Sequence, residues 1–213
     1  MNKYVLLLYL VVSLFHLFCC FTGRKKWQGA TKPLLMPLLL LFYLVSAEAP
    51  APLMIAGILF GFAGDVFLLF SQKKQFFLAG LVSFLCGHIC YTVYLFERTA
   101  IPSLWILLLT GIVYAAVGVV AFLSLRKDLG EMLLPASAYL LVILVMAYSG
   151  CLYCIGSGGN VSGWITLLGG VFFIASDYIL ARGNFCKPLP RNDFIVMSTY
   201  LAAQLFLSLG MLL

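Results

Sequence analysis

The feature that most constrains this chain is the length of its apolar stretches, which run about 16 to 23 residues each, the number a helix needs to cross a hydrocarbon core of roughly 30 Å. A backbone in lipid must satisfy its polar groups internally, so runs of this length read as membrane-spanning helices. They fall at roughly 3–22, 32–47, 53–71, 75–97, 103–124, 132–154, 163–181 and 193–213. Composition agrees: 64% of residues are hydrophobic and 9% charged, whereas soluble domains carry roughly a quarter charged residues. The first run resembles a signal peptide at its start. It continues through Leu17, Phe18 and Phe21 without a small-x-small cleavage pattern and ends in Arg24, Lys25 and Lys26, so it reads as a membrane anchor. The expectation is an all-α polytopic membrane protein of eight transmembrane helices, forming one membrane domain over residues 1–213.

The formal charge of +6 raises the question of nucleic acid, but the positives sit in the short connections between apolar runs, not on a basic segment suited to phosphate backbones. Alternate connections hold Arg24, Lys25 and Lys26, then Lys73 and Lys74, then Arg126 and Lys127, then Arg182, Lys187 and Arg191. The opposite side has Lys3 and Arg98. This is the positive-inside pattern, so the rich side is expected to be cytoplasmic and both termini non-cytoplasmic. Removing any one span would scramble the alternation, which supports the count of eight.

Small residues mark where helices are expected to touch. Gly57, Gly61 and Gly64 form a stripe in the third span, and Gly111, Ala115 and Gly118 form another in the fifth. Pro33 and Pro37 are expected near the start of the second span, where a missing amide donor matters least. Pro50 and Pro52 stiffen the following connection, and Gly156, Gly158, Gly159 and Asn160 mark a flexible one. A faint internal repeat links Gly64-Asp65-Val66-Phe67-Leu68 to Ser176-Asp177-Tyr178-Ile179-Leu180, without alignment of the flanking helices.

Of seven acidic residues, only Asp65 and Asp177 fall inside spans. A carboxylate at the centre of a transmembrane helix costs roughly 2.5 to 3.5 kcal/mol on insertion scales, so such groups face interior cavities and partners. Their distances along the chain to Gln72 and Arg182 place both roughly 8 to 10 Å below the basic surface. Lys32 opens the second span on that side, either snorkelling to the interface or serving as counter-charge for an anionic headgroup or for one of the aspartates. His88 and Tyr91 share a face of the fourth span, and Tyr200 and Gln204 share a face of the eighth; interhelical hydrogen bonding and a cavity lining are both open to them. His16, with only Ser13 noted as a polar neighbour at helical spacing, reads as a packed histidine.

Seven cysteines and two histidines do not assemble a metal site by spacing. Cys151-x-x-Cys154 lacks a second pair, and His88, two residues from each of Cys86 and Cys90, points to a different helix face from theirs. No metal or cofactor is expected.

The chain resembles the YhhN-like lysoplasmalogenase family of membrane proteins along nearly its whole length. The resemblance rests on Thr31-Lys32-Pro33-Leu34, Gly64-Asp65-Val66-Phe67-Leu68, Gly87-His88 with Tyr91, Ser176-Asp177 with Leu180-Ala181, and Tyr200 with Ala203-Gln204. Tyr178 and Ile179 depart from it, standing where smaller or more polar residues are expected. It implies hydrolysis of the vinyl ether of a lysoplasmalogen to a fatty aldehyde and glycerophosphoethanolamine or glycerophosphocholine. Asp65 and Asp177 would be the catalytic acids, with Lys32, His88, Tyr91, Tyr200 and Gln204 binding or orienting the substrate. Lysophospholipid, water and the bilayer are then the partners, with a bacterial inner membrane as the setting and a site opening toward the cytoplasm. The alternative is a small proton- or ion-coupled lipid transporter using the same two acids.

With cysteine introduced at residue 73 or residue 160, an impermeant thiol reagent applied from outside should reach position 160 and miss position 73. The reverse would overturn the orientation. Any hydrolase activity should also persist in strong chelators, whereas loss restored by zinc would mean that the cysteines, His88 or the acids had been misread.

Overall fold

A computed structural model describes residues 2–213, and its regular structure among them is helical throughout. The helices are α1 Lys3–Phe21, α2 Lys25–Ser46, α3 Pro52–Leu68, α4 Lys74–Phe96, α5 Leu104–Leu125, α6 Leu133–Gly156, α7 Val161–Phe185 and α8 Asn192–Gly210; a short 3-10 turn, Gly130–Met132, leads into α6. Seven of these helical segments are long and apolar enough to cross a membrane, and α3 is a shorter apolar helix. An all-helical polytopic membrane fold with eight principal helices is what the apolar runs predict.

Several boundaries differ from expectation; α7 runs on to Phe185 instead of stopping near residue 181, and α8 stops at Gly210 instead of 213. Helix α2 begins at Lys25 instead of near residue 32, so Lys32, Pro33 and Pro37 lie inside a helix and not at its entrance. Its first two turns are too polar to register as hydrocarbon-spanning, yet they are held by α1. Gly23 takes a left-handed conformation (φ 71°), the Arg24 amide donates to the Cys19 carbonyl, and Gln28 Nε2 reaches the same carbonyl at 3.1 Å. Proline at 33 removes the amide that would meet the Gly29 carbonyl, and proline at 37 does the same to residue 33. Helix α3 stops at Leu68 instead of near residue 71, the chain turning through residues 69–73 before α4.

The chain divides into two compact units. The first, running to Tyr94, holds α1 to α3 and nearly all of α4; the second, Leu95–Met211, holds the end of α4 and α5 to α8. In the first, α1 packs on α2 and α2 on α3. The predicted stripe on α3 accepts α4: a side chain at Gly57 would run into the Tyr91 ring, and one at Gly64 would stand 2.6 Å from Phe84.

In the second unit α7 is central, packing on both α6 and α8. Adjacent glycines make this possible, because a Cβ at Gly169 would stand 2.9 Å from Leu207 of α8 and one at Gly170 would stand 2.9 Å from the Ala147 Cα of α6. Gly118 of the second predicted stripe meets Leu144 of α6 in the same way, at 2.6 Å. The connection into α7 turns on Gly158 and Gly159, both at φ 70°, and Asn160 then caps the helix by accepting from the Gly163 amide at 2.7 Å. Much of α5 is turned outward, with Trp105, Leu109, Ile112 and Val120 all exposed, as lipid contact requires.

Gly170→Ala should destabilise the protein, since the nearest neighbour, the Ala147 Cα, is backbone and cannot give way; overpacking of this kind typically costs about 1–3 kcal/mol. Gly29→Ala should not, because nothing lies within 4 Å of a Cβ there. Thermal unfolding of the two variants in detergent checks the contrast.

Candidate active site

In the first unit the predicted polar residues are placed by α2 and α3. The Lys32 ammonium lies 3.3 Å from Oδ1 of Asp65, with the lysine side chain 17% exposed and the aspartate 2%. Of the roles open to Lys32, the structure shows it as counter-charge for an aspartate. The geometry follows from local structure: because α2 starts two turns earlier than the apolar pattern suggests, Lys32 is fixed by helical hydrogen bonding on both sides instead of dangling at a helix end. Asp65 sits in the last turn of α3 beside Gly64, whose missing side chain lets α4 approach. An ion pair in an apolar interior holds only when each charge compensates the other's lost hydration.

Residues adjoining this pair include several that the apolar pattern did not single out. Tyr9 of α1 is fully buried and lies within electrostatic reach of Asp65. His16, expected as a merely packed histidine, has its Nδ1 2.7 Å from Thr31 Oγ1 and its Nε2 3.4 Å from Cys20 Sγ. Thr31 precedes Lys32, and its hydroxyl also donates to the Trp27 carbonyl at 2.7 Å. The Lys32 charge reaches the His16 ring as well. The helical spacing of His16 and Cys20 was a usable signal; the contact with Thr31 was not, because it joins two helices.

His88 and Tyr91 lie on α4 and are both buried, His88 at 1% exposure and Tyr91 at 2%, as expected of residues sharing an interior face. The Tyr91 ring fills the space over Gly57. Thr92 donates to the His88 carbonyl at 2.7 Å.

In the second unit Asp177 lies on α7 and is only partly buried. The hydroxyl of Tyr139, from α6, donates a hydrogen bond to Asp177 Oδ2. Tyr139 was not predicted. One tyrosine among eleven in an apolar chain carries no distinguishing pattern, and its partner lies 38 positions away. Ser176, next to the acid, donates to the Val196 carbonyl at 3.2 Å and fixes this part of α7 against α8. On α8, Tyr200 and Gln204 are buried, with Gln204 Nε2 3.5 Å from the Tyr200 hydroxyl, and the Tyr200 ring meets Phe173 of α7 edge to face at 5.8 Å. The expected pairing of Tyr200 with Gln204 is therefore present.

Each acid is thus set in a built environment: Asp65 against an ammonium, Asp177 against a phenol. Groups of three or more histidine, cysteine or acidic side chains arranged to hold a metal are not found among the described residues.

Comparison with known proteins places these features in a family. No solved structure matches the chain. Human lysoplasmalogenase TMEM86B is 33% identical over 137 residues, covering 64% of this chain and 54% of that protein, so the chain matches only about half of that relative's length. Rat lysoplasmalogenase TMEM86B is 30% identical over 204 residues, 94% of this chain and 80% of that protein. Human lysoplasmalogenase TMEM86A is 29% identical over 77% of this chain and 67% of that protein. The model of the YhhN family matches residues 27–211, a stretch that includes Lys32, both intramembrane aspartates and the buried residues of α4 and α8 described above. The chain belongs to the YhhN family.

Proposed function

We propose that this protein is a lysoplasmalogenase-like ether hydrolase, cleaving the vinyl ether of a lysoplasmalogen to a fatty aldehyde and glycerophosphoethanolamine or glycerophosphocholine. The observation that carries the reading is the buried ion pair of Lys32 with Asp65 in an apolar span, in a chain whose relatives bear the name lysoplasmalogenase. Intramembrane ionisable groups are costly enough that a function is the default explanation for them.

The chemistry suits two acids. Protonation of the β-carbon of the vinyl ether leaves an oxocarbenium ion at the carbon bearing oxygen. Water adds to that carbon and gives up a proton to a carboxylate. The resulting hemiacetal then collapses: its hydroxyl gives its proton to the carboxylate that protonated carbon, its bond to the glycerol oxygen breaks, that oxygen takes the proton held by the other carboxyl, and the aldehyde departs with both acids restored. Glycosidases meet a comparable cation with two carboxyl groups. In this reading Asp65, the anionic half of an ion pair, stabilises the cation and receives the proton from water. Asp177, which takes a hydrogen bond from Tyr139, is the proton donor. Tyr200, Gln204, His88 and Tyr91 orient the lipid. The enzyme would work within a membrane, with its site opening on the basic side.

Asp65→Asn and Asp177→Asn should each lower turnover of purified protein by about 100-fold or more, since an amide keeps the shape but supplies neither proton nor charge; Asp65→Asn should also lower thermal stability, because it leaves the Lys32 charge unpaired. Lys32→Ala should also slow turnover, and Lys32→Ala combined with Asp65→Asn should be little worse than Asp65→Asn alone, because the two residues act as one unit. A saturated ether analogue should be untouched and turnover should fall in heavy water. Near-normal activity of an aspartate variant would remove that residue from the mechanism. Equal cleavage of the saturated ether would overturn the oxocarbenium route, and substrate-coupled ion uptake into proteoliposomes without aldehyde release would favour a transporter.

A further inference from the structure

The second unit carries a cleft of about 280 Å³ that the proposed chemistry does not use, at the end of the helices where the basic connections lie. Its walls come from the end of α5, the connection after it, the last two turns of α7 and the segment that follows. Two cations line it, Arg182 and Lys187, against one carboxylate, Asp128. Among the described residues neither cation is ion-paired. Asp128 is engaged otherwise, its Oδ2 accepting from the Cys186 thiol at 3.3 Å. With two cations against one carboxylate, the lining carries net positive charge.

Below the charged rim is a tier of hydroxyls. Ser124 Oγ lies 3.1 Å from the Tyr178 hydroxyl, and Tyr178 precedes Arg182 by one helical turn, about 6 Å toward the apolar part of α7. One turn beyond Ser124 on α5 is Val120, exposed by 69%. Cation, hydroxyl and apolar surface thus follow one another in the order phosphate, glycerol ester and acyl chain in a phospholipid.

We propose that this cleft is a binding site for the phosphate of a membrane glycerophospholipid, with Arg182 and Lys187 on the phosphate and Ser124 and Tyr178 on the glycerol esters. Guanidinium and ammonium groups are the usual donors for phosphate, and the basic side of a membrane protein is where anionic lipid headgroups are attracted. The site is separate from the acids assigned to hydrolysis and stands whether or not that assignment does. Anionic phospholipid binds it better than a lipid with the same glycerol and tails but no phosphate.

Cys186 supplies the readout. Its partial burial, then the hydrogen bond and charge of Asp128, push the thiol above its ordinary range, while Arg182 opposes them. A bound phosphate adds negative charge beside it and covers it, and both effects slow thiolate alkylation.

The test is maleimide alkylation of the full chain in nonionic detergent, followed at Cys186 by peptide mass spectrometry, with phosphatidylglycerol, a diacyl galactolipid or inorganic phosphate added. Phosphatidylglycerol should slow alkylation about ten-fold at ten times its half-saturating concentration. The galactolipid and inorganic phosphate should do much less, and Cys86 should be unaffected. Arg182→Gln with Lys187→Gln should abolish the protection. Arg182→Lys, which keeps the charge and disturbs the fold less, should retain part of it. Equal protection by inorganic phosphate would overturn the lipid assignment, equal protection by galactolipid would overturn the phosphate assignment, and full protection in the doubly neutralised variant would overturn the role of the cations.

Discussion

A charge inside a bilayer has to be compensated at the place where it sits, because no solvent is there to do it. In this protein that condition is met most visibly by Lys32 and Asp65. The pair links α2 to α3 and gives a reason for details that otherwise look unrelated. Helix α2 is continuous across Lys32 despite two prolines, so the ammonium is held on a fixed backbone. Gly64 keeps the neighbouring turn of α3 bare so that Phe84 of α4 closes over it. Breaking a buried pair by deleting one partner typically costs about 3–5 kcal/mol, more than losing an exposed one. The stability of this corner and the chemistry proposed for it therefore rest on the same two residues.

Asp177 solves the same problem differently. A phenol hydroxyl from α6 approaches it, supplying a hydrogen bond in place of a full counter-charge. The two acids thus differ in what faces them, an ammonium from α2 for Asp65 and a phenol hydroxyl from α6 for Asp177.

Much of this was legible in the sequence, for reasons that can be stated residue by residue. Long apolar runs identify spans because the bilayer fixes their length, and Asp65, Asp177 and Lys32 stand out because so few charged residues occur in those runs. The glycine stripes were readable since close approach of helices leaves few alternatives, and Gly57, Gly64 and Gly118 do meet side chains from the next helix. The start of α2 was not readable. Lys25, Lys26 and Gln28 are polar, and hydropathy reports where hydrocarbon ends, not where hydrogen bonding ends. Tyr139 and the contact made by Thr31 were missed for another reason. Each acts through a partner on a different helix, and pairing across helices leaves no periodic trace along the chain. The cleft at Arg182 is an intermediate case: its basic residues were read for topology, while its hydroxyl tier emerges only when α5 and α7 lie side by side.

The contact of His16 with Thr31 and Cys20 has a consequence that comes from counting hydrogens. Thr31 has one hydroxyl hydrogen, and it goes to the Trp27 carbonyl. Its oxygen can then only receive from the histidine, which places a hydrogen on Nδ1. Nε2 stands 3.4 Å from the Cys20 sulfur, one turn along α1. The imidazole thus ties a side chain of α2 to α1 through a donor whose direction is set by a helix carbonyl, and works as a spacer between the two helices.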